Sequence, residues 1–336
     1  MKKRLIVAAL VGVLGSSLAL ADVNIYSSRK EALIKPILDR FSEETGIKVN
    51  LVTGADDALI TRLKTEGLKS PADLLITADA GRLHRAKEGD VLQSFNSLYV
   101  RERVPEHLRD ADGYWVGLTQ RARPVFYVKG QVDPAELSTY EALADEKFAG
   151  RICVRSSSNI YNQSLIASMI EVDGVEQTEQ FVKGFVANFA KPPSGGDTDQ
   201  LKAAAAGVCD IAIANTYYFG RLVNSDQASD RKAASRLAIF WPNQDDRGTH
   251  VNVSGVGLTA SSKNIGDAVK LIEFMLTDEA QTWYSEVNNE YPVVASVSPS
   301  QTLQSWGDFK ADTLNLTILG INNRAAVELM DRAGWR

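Results

Sequence analysis

From Asp22 onward the chain alternates short, nearly all-apolar runs with segments of helical period, and that alternation limits the folds open to it. "VNIYSS", "IKVNLVTG" and "ADLLITAD" are strand-like. Between them, "KEALIKPILDRFSEETG" places Leu33, Ile37 and Phe41 four apart, and "ADDALITRLKTEG" is a second amphipathic helix. A βαβαβ order whose strands lack polar alternation predicts a parallel sheet covered by helices on both faces. The alternation resumes after residue 140 with "GRICVR", helices from about 162 and around 176–189, the loop "AKPPSGGDTD", the helix "QLKAAAAG" and the strand "DIAIA". A second α/β lobe is therefore expected.

Two extended segments are placed to join the lobes. "YWVGLTQRARPVFYVK" is polar at 120–123 between two apolar ends, the form of a strand that leaves one sheet for another, and "HVNVSGVGLTA" carries Gly255 and Gly257, which would give it flexibility. The expected lobes are residues 22–120 with about 250–290, and residues 121–249 with about 291–336. About 315 residues also exceed the usual size of one core.

The first 21 residues, "MKKRLIVAALVGVLGSSLALA", have the basic start, apolar middle and small-residue end of a secretory leader. Removing Lys2, Lys3 and Arg4 takes the formal charge from −5 to −8, which is the wrong sign for a nucleic-acid binder. Cys153 and Cys209 lie in strand-like runs. An oxidising compartment favours a bridge between them, the other reading being two buried thiols.

Four of the ten tyrosines occupy strand-to-helix junctions: Tyr26 after "VNI", Tyr161 after "VRSSSNI", and Tyr217 with Tyr218 after "IANT". Successive strand residues face opposite ways. Asn215-Thr216, however, is a capping signal, which moves Tyr217 and Tyr218 into the first turn of a helix, where two phenols can bend toward one point. That point lies beyond the carboxyl ends of the strands, where open α/β sheets bind ligands. A tyrosine at such a place is otherwise an ordinary cleft or core residue with a bonded hydroxyl.

"NIYSSR", "SSSNIYNQS", "IANTYYFGRL", "TGADDALITRLKTEG" and "ADLLITADAGRL" together resemble the periplasmic ferric-iron substrate-binding proteins of bacterial ABC importers, over nearly the whole mature chain. The resemblance implies the two-lobed periplasmic binding protein fold of type II with a two-segment hinge, a monomer soluble in the periplasm, and delivery of Fe³⁺ to an inner-membrane permease. It implies no nucleic-acid partner. It also implies that Tyr26 from the first lobe and Tyr161, Tyr217 and Tyr218 from the second bind the ion as phenolates. Ferric iron prefers anionic oxygen, and a bound cation can ionise a phenol of pKa about 10. A fourth phenolate leaves one excess negative charge, which requires a cation nearby. The resemblance favours Arg121, while Arg123 and Arg221 read as ordinary surface ion pairs. Many relatives have a histidine shortly after the first tyrosine, whereas "YSSRKEA" has Arg29 and Lys30. Asp57 matches an acidic ligand of other relatives but is not expected to bind. His84, His107 and His250 read as surface or structural residues, leaving water for a fifth position.

Two other readings compete. "RSSSN" before a helix offers hydroxyls and backbone N–H groups to a small oxyanion such as phosphate or sulfate. An enzyme is disfavoured, because no G-x-S-x-G elbow occurs and no histidine lies in a motif suited to a general base.

Overall fold

The computed structural model describes residues 22–336; the leader assigned to residues 1–21 lies outside the described residues. The first part of the chain forms β1 (Val23–Ser27), α1 (Lys35–Thr45), β2 (Val49–Thr53), α2 (Asp56–Glu66), β3 (Leu74–Ala78) and α3 (Ala80–Glu88). Then come β4 (Leu92–Gln93), α4 (Leu98–Arg103), β5 (Trp115–Ala122), β6 (Val125–Val128), β7 (Ile152–Cys153), α5 (Ile160–Ala187), α6 (Asp197–Ala205), β8 (Ile211–Ile213) and α7 (Thr216–Val223). The chain closes with α8 (Ala228–Ser235), β9 (Leu237–Phe240), β10 (Val251–Thr259), α9 (Ile265–Met275), α10 (Asp278–Asn288), β11 (Tyr291–Pro292), α11 (Gln301–Gln304), α12 (Thr317–Ile321) and α13 (Asn323–Arg332).

The strands make two sheets, one ordered β11-β5-β10-β3-β1-β2 with β4 beside β10, the other β7-β8-β6-β9. β1, β2 and β3 are parallel, as their apolar runs predict, but β10 and β5 are antiparallel additions. The larger sheet is therefore mixed rather than parallel throughout. β5 belongs to one sheet and β6 to the other, so the polar middle of the first crossing segment marks a real change of sheet.

The second crossing differs from the sequence reading. β10 lies wholly in the larger sheet, and the chain changes sheets between the end of β9 at Phe240 and the start of β10 at Val251. Gly255 and Gly257 are not flexible joints. A Cβ on Gly255 would sit 2.6 Å from both the Leu83 side chain and the Val116 carbonyl, and one on Gly257 would sit 2.8 Å from Leu92. Close packing, not bending, is what requires glycine there.

Each sheet has apolar clusters on both faces. Val23 and Ile25 join Ile37 and Phe41 of α1 and Leu271 of α9, while Tyr26, on the opposite face of β1, joins Leu59, Ile60 and Leu63 of α2. In the smaller sheet, Ile152, Ile211 and Ile213 pack with α5 and α13, and Ala212 packs with Leu201 of α6 and Phe219 of α7. α5 contains a break at Gly174, whose φ of 81° only glycine adopts readily, so it is two helices end to end, as the sequence pattern suggests. Past residue 290 the chain passes between the clusters. β11 pairs with β5, and Leu316 and Leu319 join the larger sheet's core. Trp306 packs on the α6–α7 cluster, and Leu329, Met330 and Trp335 enter the α5 core. This stretch therefore does not sit on one side of the boundary that the sequence placed near residue 291.

Cys153 and Cys209 are bridged, with their Cα atoms 5.9 Å apart. Cys153 ends β7 and Cys209 lies two residues before β8, its parallel neighbour, so the bridge ties together the two strands that lead into α5 and α7. Closing a loop 56 residues apart in sequence restricts the unfolded chain. A Cys153→Ser, Cys209→Ser double variant should lose on the order of 4 kcal/mol of stability, read as a lower denaturation midpoint in urea.

Candidate metal centre

Three phenols meet in front of two helix N-termini. Tyr161 is the second residue of α5, and Tyr217 and Tyr218 are the second and third of α7. The Tyr217 hydroxyl donates to the Tyr161 hydroxyl over 3.2 Å, and the rings of Tyr217 and Tyr218 lie 4.3 Å apart at 35°. Asn159 caps α5 by accepting from the Tyr161 N–H. The exposed N–H groups and helix dipole of a first turn favour negative charge, which is what a phenolate brings.

Tyr161 and Tyr217 are held protonated at neutral pH. Burial pushes the Tyr161 hydroxyl up to about 12, with the Arg121 guanidinium opposing the rise and Tyr218 adding to it. Burial also raises Tyr217 well above the usual phenol value, followed by Tyr161 and Tyr218, again opposed by Arg121. Tyr161 and Tyr217 thus resist ionisation and require a strong cation to lose their protons.

Tyr26 is not brought to this cluster. β1 runs through Ser27 rather than ending before Tyr26, so strand alternation fixes that side chain on the α2 face, in the body of the sheet. Its hydroxyl lies 3.0 Å from both Glu66 carboxylate oxygens, donating to that carboxylate, and Arg62 covers its ring at 4.5 Å. Burial and the Glu66 hydrogen bond hold the phenol above its ordinary value. The structure thus sets Tyr26 in the packing between β1 and α2, apart from the three phenols. Tyr26→Phe should therefore leave iron content and visible absorption unchanged while costing about 1 kcal/mol for the lost hydrogen bond. Iron analysis and a denaturation curve on the same sample check both parts.

Arg121 is 2% exposed. It donates to Ser254 Oγ over 2.7 Å, has no partner for Nε or Nη2, and lies 5.5 Å from the Tyr161 ring centre. Arg123 is not a surface ion pair as the sequence suggested: it is 1% exposed and bonded to Asp197, Asn215 and Asn162. Arg221 is exposed, and it stands over the Tyr217 and Tyr218 rings at 4.9 and 5.5 Å rather than in an ion pair. Asn215 does not cap α7 with its side chain, because that oxygen accepts from Arg123 instead.

Asp57 is exposed and pairs with Arg82 and Arg85. Its neighbour Asp56 is the more enclosed carboxylate, bonded to Thr77 and to the Ala78 N–H and paired with Arg82. None of the histidines joins the phenols by hydrogen bond. His250 is 5% exposed against Ser168, and burial with Arg123, Arg247 and Arg121 lowers it to about 3, so it stays neutral. The serines of "RSSSN" are engaged internally, Ser156 with Ser158 and Ser157 with the Trp335 carbonyl.

The larger sheet's side also contacts α5. Asp79, between β3 and α3, is fully buried with φ of 85°, and its Oδ1 accepts from Ser164 Oγ of α5 over 2.7 Å, one turn beyond Tyr161. Sequence reasoning missed Asp79 and Asp197 and read the buried Arg123 as a surface charge. Asp79 gave one signal, a charge at the end of the apolar run "ADLLITAD", whereas Asp197 sits at the end of a polar loop where a charge is ordinary.

Residues 37–311 match the family of bacterial extracellular solute-binding proteins. "Iron uptake protein A1" of Synechocystis sp. is 48% identical over 315 residues, covering 94% of this chain and 88% of that protein. "Iron uptake protein A2" of the same organism is 43% identical over 94% of this chain and 90% of its own. The structure of a Trichodesmium protein, IdiA or FutA, in complex with iron and citrate ligands is 49% identical and superposes with a TM-score of 0.92 over 94% of this chain and 100% of that one.

Proposed function

This chain belongs to the bacterial extracellular solute-binding proteins, on the branch of the iron uptake proteins, and from that premise we propose how it works. It is an extracytoplasmic protein that captures ferric iron between two lobes through tyrosine phenolates and hands it to an inner-membrane ABC permease. The observation that carries this reading is the meeting of Tyr161, Tyr217 and Tyr218 in front of α5 and α7. Three phenolates carry the charge that neutralises Fe³⁺, so the metal site is balanced without a fourth. Oxygen donors with no thiolate or imidazole suit ferric iron better than zinc or copper.

Arg121 then acts beside the site. Its positive charge favours the ionised phenols, and Glu290 and Asp79 balance it in turn. The two lobes are organised on the two sheets and hinge where the chain leaves β5 for β6 and β9 for β10, with Asp79–Ser164 as a contact of the closed state. The three phenols stand on the side of the smaller sheet and Arg121 on β5 of the larger one, so closure gains its differential affinity from bringing that cation to the phenolates rather than from a ligand on each lobe. The protein works as a monomer in the periplasm, with no catalytic step and no nucleic-acid partner. Among the described residues no helix is long and apolar enough to cross a membrane. An oxyanion as the sole ligand is disfavoured, because the "RSSSN" hydroxyls are engaged and Arg155 faces the Asp197 carboxylate.

Metal analysis of the protein purified without added iron tests the function. One iron per chain with a visible phenolate-to-iron band is expected. A colourless protein that takes up no ferric iron would refute it.

A further inference from the structure

Beneath the three phenols lies a closed polar cluster that the ferric reading does not use. Arg123 sits at the crossing between β5 and β6, its N–H bonded to the His250 carbonyl. Its Nη1 donates to Asp197 Oδ2 and to Asn215 Oδ1, each over 2.8 Å, and its Nη2 donates to Asn162 Oδ1 over 2.7 Å. Asp197 Oδ2 also accepts from the Asn215 backbone N–H over 2.9 Å, while its Oδ1 faces Arg155 at 3.4 Å. Asn162 uses its amide N–H groups on the carbonyls of Arg155 and Ser156. Arg123, Asp197, Asn162 and Asn215 are all 3% exposed or less.

The sequence positions of these partners give the cluster its meaning. Asn162 follows Tyr161 directly, Asn215 precedes Tyr217 by two residues, and Asp197 opens α6. One guanidinium therefore grips the first turn of each tyrosine-bearing helix, and one carboxylate ties the guanidinium and the start of α7 to α6. We propose that the Arg123–Asp197 pair is a positioning device for the ferric site, fixing the first turns of α5 and α7 relative to each other and so the spacing of the Tyr161 and Tyr217 oxygens. The planar fork is essential, because its two ends address different helices and a lysine ammonium has no such geometry. A metal held by oxygens from two helices depends on their spacing as much as on their identity. The carboxylate also supplies an internal negative charge at the start of α6 and α7, where helix ends attract anions.

The inference rests on the ferric reading, so its test begins with wild-type protein loaded from ferric nitrilotriacetate. Asp197→Asn keeps the shape and removes the charge, Arg123→Lys keeps the charge and removes the fork, and Asn215→Ala deletes one acceptor while leaving the ion pair. In each variant three quantities are read: the apo circular dichroism spectrum, the position of the visible band, and the rate of iron loss to excess EDTA at neutral pH. The expected result is a native apo spectrum with a shifted band and iron loss faster by about 10- to 100-fold in Asp197→Asn and Arg123→Lys, and by a smaller factor in Asn215→Ala. A role confined to fold stability would lower the melting temperature and leave band and rate alone. Folded variants, Asn215→Ala included, with the wild-type band and rate would overturn the proposal. A colourless wild type would remove the ferric reading itself and this inference with it.

Discussion

Replacing Tyr217 or Tyr218 with Phe is expected to weaken ferric binding by on the order of a hundredfold or more and to bleach or shift the visible band. The floor of that range follows from comparison, since changing groups that merely support a metal ligand costs roughly 10- to 100-fold. A lost ligand should cost more. Each substitution keeps the ring, and with it the 4.3 Å contact between the two aromatic groups, so the fold should survive. Tyr161→Phe belongs to the same class, because its oxygen is the one that Tyr217 reaches at 3.2 Å. Iron titration followed at the visible band checks all three, with Tyr26→Phe as the control that should behave as wild type. If Tyr217→Phe and Tyr218→Phe both retain full iron and an unchanged band, the ligand assignment is wrong.

The second large effect is that of pH. Tyr161 is raised to about 12 and Tyr217 well above the usual phenol value, so both are protonated at neutral pH, and the metal must displace a proton from each phenol it binds. Below those values the apparent affinity falls as pH falls, by up to about a thousandfold per pH unit if three protons leave together. Arg121 opposes the rise at both phenols, so Arg121→Gln should move the release curve to higher pH. Iron retention against a competing chelator, corrected for the chelator's own protonation, gives the slope. A flat profile between pH 5 and 8 would mean that phenolates are not the ligands. Reduction should act in the same direction, because Fe²⁺ carries less charge against the same oxygens.

What the sequence revealed and what it concealed divide along local and non-local lines. "IANTYYFG" placed Tyr217 and Tyr218 in a first turn because the end of a short strand, a capping pair and the next periodic run are all adjacent in sequence. The same logic located Tyr161 at the start of α5 and the change of sheet between β5 and β6. It did not foresee the setting of Tyr26, where the strand continues one residue further and the phenol meets Glu66, a residue 40 positions away. Arg123 looked like a surface charge because nothing near it in sequence announces Asp197, 74 residues on, which neutralises it inside the protein. β10 was read as a crossing because its glycines suggested bending, yet what they face is Leu83, Leu92 and Val116, neighbours supplied by the larger sheet and its helices. Burial by distant partners leaves no trace in local pattern, and those partners decide whether a polar residue is ligand, support or surface.

The central claim is that ferric iron sits on Tyr161, Tyr217 and Tyr218 and not on Tyr26. A crystal of the iron-loaded protein, with diffraction collected on both sides of the iron absorption edge, locates the metal without reference to any assumed ligand. The account predicts one anomalous peak per chain, at bonding distance from the three hydroxyl oxygens in front of α5 and α7, with the Tyr26 hydroxyl still on Glu66. A peak bonded to the Tyr26 oxygen, or one remote from the α7 tyrosines, would contradict it.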